Sequence, residues 1–231
     1  MKWQNIYKQD FILNNMFVEE YFANNEIGPK TLEDVTAEQI AATRIRDQNA
    51  YYNAYYLAEL DVLQVCLNFD LYQRFYEIVL REVKDFESLL EPWCGSGILG
   101  CFLAQETGAE YLGMEVNSGA IDKAKERARK NGLDERLFTS EDFMQQNQRF
   151  DTVIGCYALN TPYLFPSISA IEHLMGLSDN FVMIQNLPDN GTTETYKQIF
   201  ERRGYHFEVL AEPEIVKGTT YKAFVFKASK N

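Results

Sequence analysis

The chain is poor in the residues that build metal centres and disulfide frameworks. It has two histidines, His173 and His206, and four scattered cysteines, Cys66, Cys94, Cys101 and Cys156, with no CxxC pair. That pattern argues against a zinc site and against a disulfide-stapled scaffold. Uninterrupted apolar runs are also missing: nothing approaches the roughly 18 to 20 residues of a membrane-spanning helix. The opening MKWQNIYKQDFILNN lacks the basic-then-apolar pattern of a signal peptide, so a cytoplasmic protein without a membrane partner is expected. Basic charge is scarce as well. Lys and Arg number 22 against 34 Asp and Glu, for a net charge of −12. The acid excess runs through both the first 88 residues and the rest. A protein that grips long RNA or DNA carries a basic face, so a nucleic-acid partner is not expected from composition.

Aromatic residues are abundant, with 14 Tyr and 16 Phe in 231 residues. The chain is long enough for one substantial core and an appended segment. From residue 88 onward, apolar strand-like runs alternate with helical segments. ESLLEP reads as a strand and ILGCFLAQET as a helix stopped at Gly108. AEYLGMEV is a second strand, followed by the helix GAIDKAKERARKNG, stopped at Gly132. ERLFTS and FDTVIGCY read as strands three and four, FPSISAIEHLMGL as a helix, NFVMIQNL as strand five and TTETYKQIFERRG as a helix. YHFEVLAEPEI and TYKAFVFKA, separated by VKGT, read as an antiparallel hairpin. Helices between strands demand parallel pairing. The expected fold class is α/β: a doubly wound, seven-stranded, mostly parallel sheet with a C-terminal antiparallel hairpin.

Residues 1–87 differ. VTAEQIAATRIRDQNAYYNAYYLAELDVLQVCL is helical, with Thr36 and Gln39 spaced as a capping box, and DLYQRFYEIVLREVKDF continues the pattern. NNEIGPKTLED reads as a loop. This part is expected to be an N-terminal helical cap on a sheet domain spanning 88–231.

The chemistry concentrates in SLLEPWCGSGILG, residues 88–100. Backbone N–H groups at the start of the helix near Ile98 attract negative charge, and Gly95 and Gly97 lack the side chains that would obstruct a ligand. A carboxylate, Glu91, stands at the tip of strand one, and another, Glu115, at the end of strand two; Asp142 and Phe143 follow strand three. Glu115 suits the two hydroxyls of a ribose, and Asp142 suits an adenine amino group while Phe143 packs on the base. Glu91 suits the ammonium of an amino acid. Asp142 is equally placed to cap the turn FMQQNQ, and the two uses are compatible.

LLEPWCGSG, YLGMEVNSGAIDKAKERARKNGL, SEDFM and FDTVIG, in this order and spacing, resemble the motifs of the class I S-adenosylmethionine-dependent methyltransferases, over about residues 87–228. The resemblance implies S-adenosyl-L-methionine as cofactor, held by Glu91, Trp93, Cys94, Gly95, Ser96, Gly97, Glu115, Val116, Asp142, Phe143 and Cys156. It implies methyl transfer to a nucleophile held in line with the sulfonium. Trp93 departs from the glycine that many members carry there. The departure implies a backbone that does not need positive φ, with the indole either packed in the core or lining the methionine end of the site. The GxGxxG string of nucleotide-dependent hydride-transfer enzymes also fits Gly95, Gly97 and Gly100, but it accounts for neither Asp142-Phe143 nor the closing hairpin.

The acceptor is expected beyond strand four and under the cap. Nucleic-acid amino methyltransferases of this motif class place Asn-Pro-Pro-Tyr directly after that strand. Here the corresponding residues are Cys156, Tyr157, Ala158 and Leu159, and NTPY comes four positions late. Tyr51/Tyr55 and Tyr52/Tyr56 form two stripes at helical spacing, and Tyr72/Tyr76 a further pair. Tyr52, Tyr55, Tyr56, Tyr157 and Asn160 are the candidate substrate-binding residues, with Tyr157 the candidate catalytic one. No strong general base is visible; His173 and His206 read as structural. The expected acceptor is a small molecule or a peptide or protein side chain. Alternatives are a nucleic acid, or a methyltransferase-like binding protein without turnover.

Overall fold

The computed structural model describes residues 26–27, 30–31, 38, 41, 48–57, 61, 64–65, 68–159, 167–187, 191–217 and 221–230. Thr36, Gln39, Cys66 and Asn160 lie outside the described residues. Seven strands form one sheet: β1 (Ser88–Pro92), β2 (Glu110–Met114), β3 (Phe138–Thr139), β4 (Thr152–Cys156), β5 (Asn180–Leu187), β6 (His206–Ile215) and β7 (Lys222–Ser229). Their order across the sheet is β3-β2-β1-β4-β5-β7-β6. The first five are parallel and β7 runs antiparallel to both β5 and β6, as the alternation and the hairpin pattern predict.

Six helices of at least eight residues are described: α1 (Gln48–Leu57), α2 (Phe69–Val83), α3 (Ile98–Thr107), α4 (Ser118–Lys130), α5 (Ile168–Leu177) and α6 (Glu194–Glu201). Each reflects a local signal. In α2 the apolar residues Leu71, Tyr72, Phe75, Tyr76, Val79 and Val83 recur at helical spacing and are all buried. Gly108 ends α3 at φ 68°, and Gly132 follows α4 at φ 69°. The Asn117 side chain accepts the Ala120 N–H at 2.9 Å and caps α4.

The sheet is buried on both faces, as side-chain alternation in a parallel sheet requires. Leu89, Ile154, Val182, Ile184 and Val225 face one layer, with α2, α3 and α4. Leu90, Val153, Phe181, Met183, Phe224 and Phe226 face the other, with α5 and α6. Helix α2 packs on α3, β5 and β7, so residues 69–83 belong to the core of the sheet. Helix α1 packs against α4.

Two local readings change. The segment read as the loop NNEIGPKTLED contains a two-residue antiparallel pair, Glu26–Ile27 with Lys30–Thr31. Strand β6 loses register twice against β7, between Val209 and Ala211 and between Ala211 and Glu214. Pro213, which cannot donate to a ladder, sits in the second irregularity.

Candidate functional site

The glycine turn between β1 and α3 is held from several sides. Cys94 N–H donates to the Met114 carbonyl at 3.1 Å, tying the turn to the tip of β2. Glu115 then reaches back: its Oε2 accepts the Gly95 N–H at 3.3 Å and its Oε1 the Asn117 N–H at 2.9 Å. Burial pushes the Glu115 carboxyl up from its ordinary range, and these backbone donors offset part of the rise. Glu91 is 2% exposed and accepts the Tyr111 hydroxyl at 2.5 Å. Burial raises its carboxyl to about 8, the Tyr111 bond opposing. Two buried carboxyls therefore stand at adjacent strand tips, and Glu115 takes one N–H of the turn beside them.

The two glycines of the turn and Gly100 in the first turn of α3 do different things. Gly95 has φ 55°, and a Cβ there would come within 2.7 Å of the Tyr56 hydroxyl of α1. The space it leaves open is filled by Tyr56. At Gly97, φ 73°, a Cβ would strike Phe138 Cζ at 2.7 Å and Ala124 Cβ at 2.9 Å. Its absence lets α3, α4 and β3 close on one another, a packing use of Gly97 beside the expected one of clearing room for a ligand. Gly100 admits the Tyr111 phenol, the group that bonds Glu91.

Trp93 overturns another expectation. Its φ is 52°, in the left-handed region that glycine favours, so the tryptophan stands where many family members keep glycine and adopts a glycine-like backbone. Its ring meets Phe143 edge-on at a centroid distance of 4.3 Å and packs on the apolar layer over β4 and β5. That contact offsets the strain. Phe143 is itself buried, and its carbonyl lies 3.0 Å from His173 Nε2 on α5. Asp142 is exposed and its Oδ1 caps the Met144 N–H at 2.9 Å. Val116, 54% exposed, presents an apolar side chain just beyond Glu115. The Cys94 thiol points inward, toward Gly113 of β2.

At the tip of β4 the phenols gather. Tyr157 has φ 62°, a second non-glycine residue in the left-handed region. Its hydroxyl lies 2.6 Å from that of Tyr72, and its ring meets Tyr221 at 5.6 Å. Tyr55 of α1 donates to Gln64 Oε1 at 3.0 Å, and Gln64 Nε2 donates to the Tyr221 hydroxyl. Burial raises Tyr55, Tyr72, Tyr157 and Tyr221, so these phenols stay protonated at neutral pH. Burial, with the fields of Glu91 and Asp61, likewise holds the Cys156 thiol protonated. Tyr52 stacks on Tyr56 at 6.0 Å, completing the stripe read from the sequence.

Residues 83–181 match the family model described as a methyltransferase domain. The strand order and the closing antiparallel strand are the fold of the class I methyltransferases. The chain is 33% identical over 90 residues to the 23S rRNA (uracil(1939)-C(5))-methyltransferase RlmD of Xanthomonas euvesicatoria pv. vesicatoria, covering 39% of this chain and 20% of that protein. It is 27% identical over 171 residues to the sterol 24-C-methyltransferase ERG6A of Gibberella zeae, covering 67% of this chain and 44% of that one. It thus spans about a fifth and under half of these two relatives. Magnesium protoporphyrin IX methyltransferase of Synechocystis, solved with bound S-adenosylmethionine, shares the fold: TM-score 0.53, 19% identity, 69% of this chain and 77% of that chain.

Sequence reasoning missed three residues that contact the glycine turn or the tyrosine cluster. Asp61 accepts the Ser96 hydroxyl, buried Arg127 of α4 donates to Ser96, and Tyr221 joins Tyr157, through Gln64, to Tyr55 of α1. Arg127 had a faint signal, a basic residue on the apolar-facing stripe Ala120, Ala124, Arg127, Ala128. Asp61 and Tyr221 had none. Among the described residues, no helix is long and apolar enough to cross a membrane.

Proposed function

We propose that this chain is an S-adenosylmethionine-dependent methyltransferase whose N-terminal helices cover the strand tips, and whose acceptor is a small molecule or a side chain of a peptide or protein. When bound, the cofactor supplies an electrophilic methyl on a sulfonium. Glu115 and Gly95 offer a carboxylate and an N–H at one end of the turn, Glu91 a buried carboxyl for a cationic amine, and Asp142, Phe143 and Val116 the rim for adenine. The fit rests on those two buried carboxyls beside a left-handed glycine turn. Tyr157 and its phenol neighbours, being protonated, donate hydrogen bonds and present ring faces; they do not take protons. Acceleration then comes from in-line positioning of an acceptor that is already nucleophilic.

The observation that carries the acceptor class is the cap's position. Tyr56 lies on Gly95, and Tyr55 is tied through Gln64 to Tyr221 beside Tyr157. A polymer strand would have to displace this cover, and the charge of −12 opposes a polyanion. RNA methylation is the second reading, favoured by the 33% identity over 90 residues to an rRNA methyltransferase. The test is incubation with methyl-labelled cofactor and cell extract separated into metabolite, protein and RNA fractions. Label in the metabolite or protein fraction is expected. Label confined to nuclease-sensitive material overturns the acceptor class.

A further inference from the structure

Ser96 is where the glycine turn, the cap and α4 meet. The residue is 3% exposed. The hydroxyl donates to Asp61 Oδ2, beyond α1 in the N-terminal region. From the other side, Arg127 donates through Nη1 to the Ser96 carbonyl and, at 2.9 Å, to its Oγ. Carboxylate, hydroxyl and guanidinium form a relay across the turn, and hydrogen bonds to ionised partners are the strong ones. Ser96 lies between Gly95 and Gly97, so its placement sets the direction of the neighbouring N–H groups, including the Gly95 N–H shared with Glu115.

Arg127 belongs to the sheet domain and holds the turn from beneath whatever the cap does. Asp61 does not. It comes from the same stretch as Tyr56, which covers Gly95, so the cap grips the turn at two consecutive residues. We propose that Asp61 is a positioning residue of the cofactor site: by holding Ser96 it fixes the glycine turn and makes cofactor affinity depend on the closed cap. The inference rests on the methyltransferase reading above.

Calorimetry with S-adenosylhomocysteine on wild type, Asp61→Ala, Asp61→Asn, Ser96→Ala and the Asp61→Ala/Ser96→Ala double variant tests it. Asp61→Ala and Ser96→Ala are each expected to weaken binding by about tenfold, the scale of one charge-assisted hydrogen bond. The double variant is expected to be no worse than Ser96→Ala, which already breaks the contact with Asp61 and gives up the Arg127 Nη1 bond to Oγ as well. Asp61→Asn keeps an acceptor oxygen of the same reach and falls between. A second readout follows the cap: in wild type the homocysteine compound protects the amides of 48–57 from hydrogen exchange, and in saturated Asp61→Ala it does not. A purely structural role would lower the melting temperature of the ligand-free protein and leave the affinity of folded protein and this protection unchanged. Additive losses, or variants that bind and protect like wild type, overturn the inference while leaving the methyltransferase reading in place. No binding by wild type overturns both.

Discussion

Replacing Gly97 by alanine separates two roles a glycine in a ligand-binding turn can have. Its φ of 73° costs an L-residue roughly 1–2 kcal/mol. The new methyl would also sit 2.7–2.9 Å from Phe138 and Ala124. Phe138 cannot step aside, since it is buried and packs against Tyr111 at 5.5 Å. Overpacking of this kind costs a further 1–3 kcal/mol, roughly. Gly132 is the internal control: its φ is 69°, and nothing lies within 4 Å of a Cβ built on it. Gly132→Ala should therefore lose only the backbone contribution. Urea titrations of the two variants should differ by about 1–3 kcal/mol, a gap of about 2–12 °C in Tm at this chain length. Equal losses would refute the reasoning, because then the Phe138 and Ala124 contacts are not what the position senses. A Gly97→Ala protein of wild-type stability that no longer bound S-adenosylhomocysteine would point to the ligand-clearing role instead.

Glu91→Gln tests the buried carboxyl. Burial raises its pKa from 4.5 to about 8, so the folded state holds a proton that the unfolded state releases. Wild-type stability should fall through this group as pH rises from about 4.5 to about 8. The glutamine variant, free of that loss, should gain on wild type across the same window; a stability difference constant from pH 5 to 9 in urea titrations would contradict the assignment. At Trp93, alanine should remove the contact with Phe143 and keep the strain, whereas glycine removes both. Trp93→Gly should then unfold at a higher temperature than Trp93→Ala by about 1 kcal/mol equivalent, reversing the usual alanine advantage. The usual order would show that φ 52° carries no strain.

Patterns that repeat along the chain were legible in the sequence. The apolar run in NFVMIQNL matches the bounds of β5, and the hairpin was found by its period of two. Helix stops at Gly108 and Gly132 were readable because left-handed caps select glycine. What failed depended on who occupies the space beside a residue. Glycine at 97 looks the same whether a ligand or Phe138 fills the gap. Trp93 could not announce a left-handed backbone, since only glycine signals one. The paired strands at Glu26–Ile27 and Lys30–Thr31 are too short to show a period. The motif acids were found by their positions at strand ends, yet Asp61 and Tyr221 reach the turn and the tyrosine cluster from opposite ends of the chain, where spacing carries no information.

Strand β7 lies between β5 and β6, paired to both along its length. During synthesis, residues 180–187 therefore wait with one ladder of backbone donors and acceptors open until residues 222–229 leave the ribosome. The parallel half of the sheet can assemble earlier, but closure belongs to the last stretch described, and a nascent chain stalled before it would expose the open edge of a largely apolar strand to any partner that could pair with it.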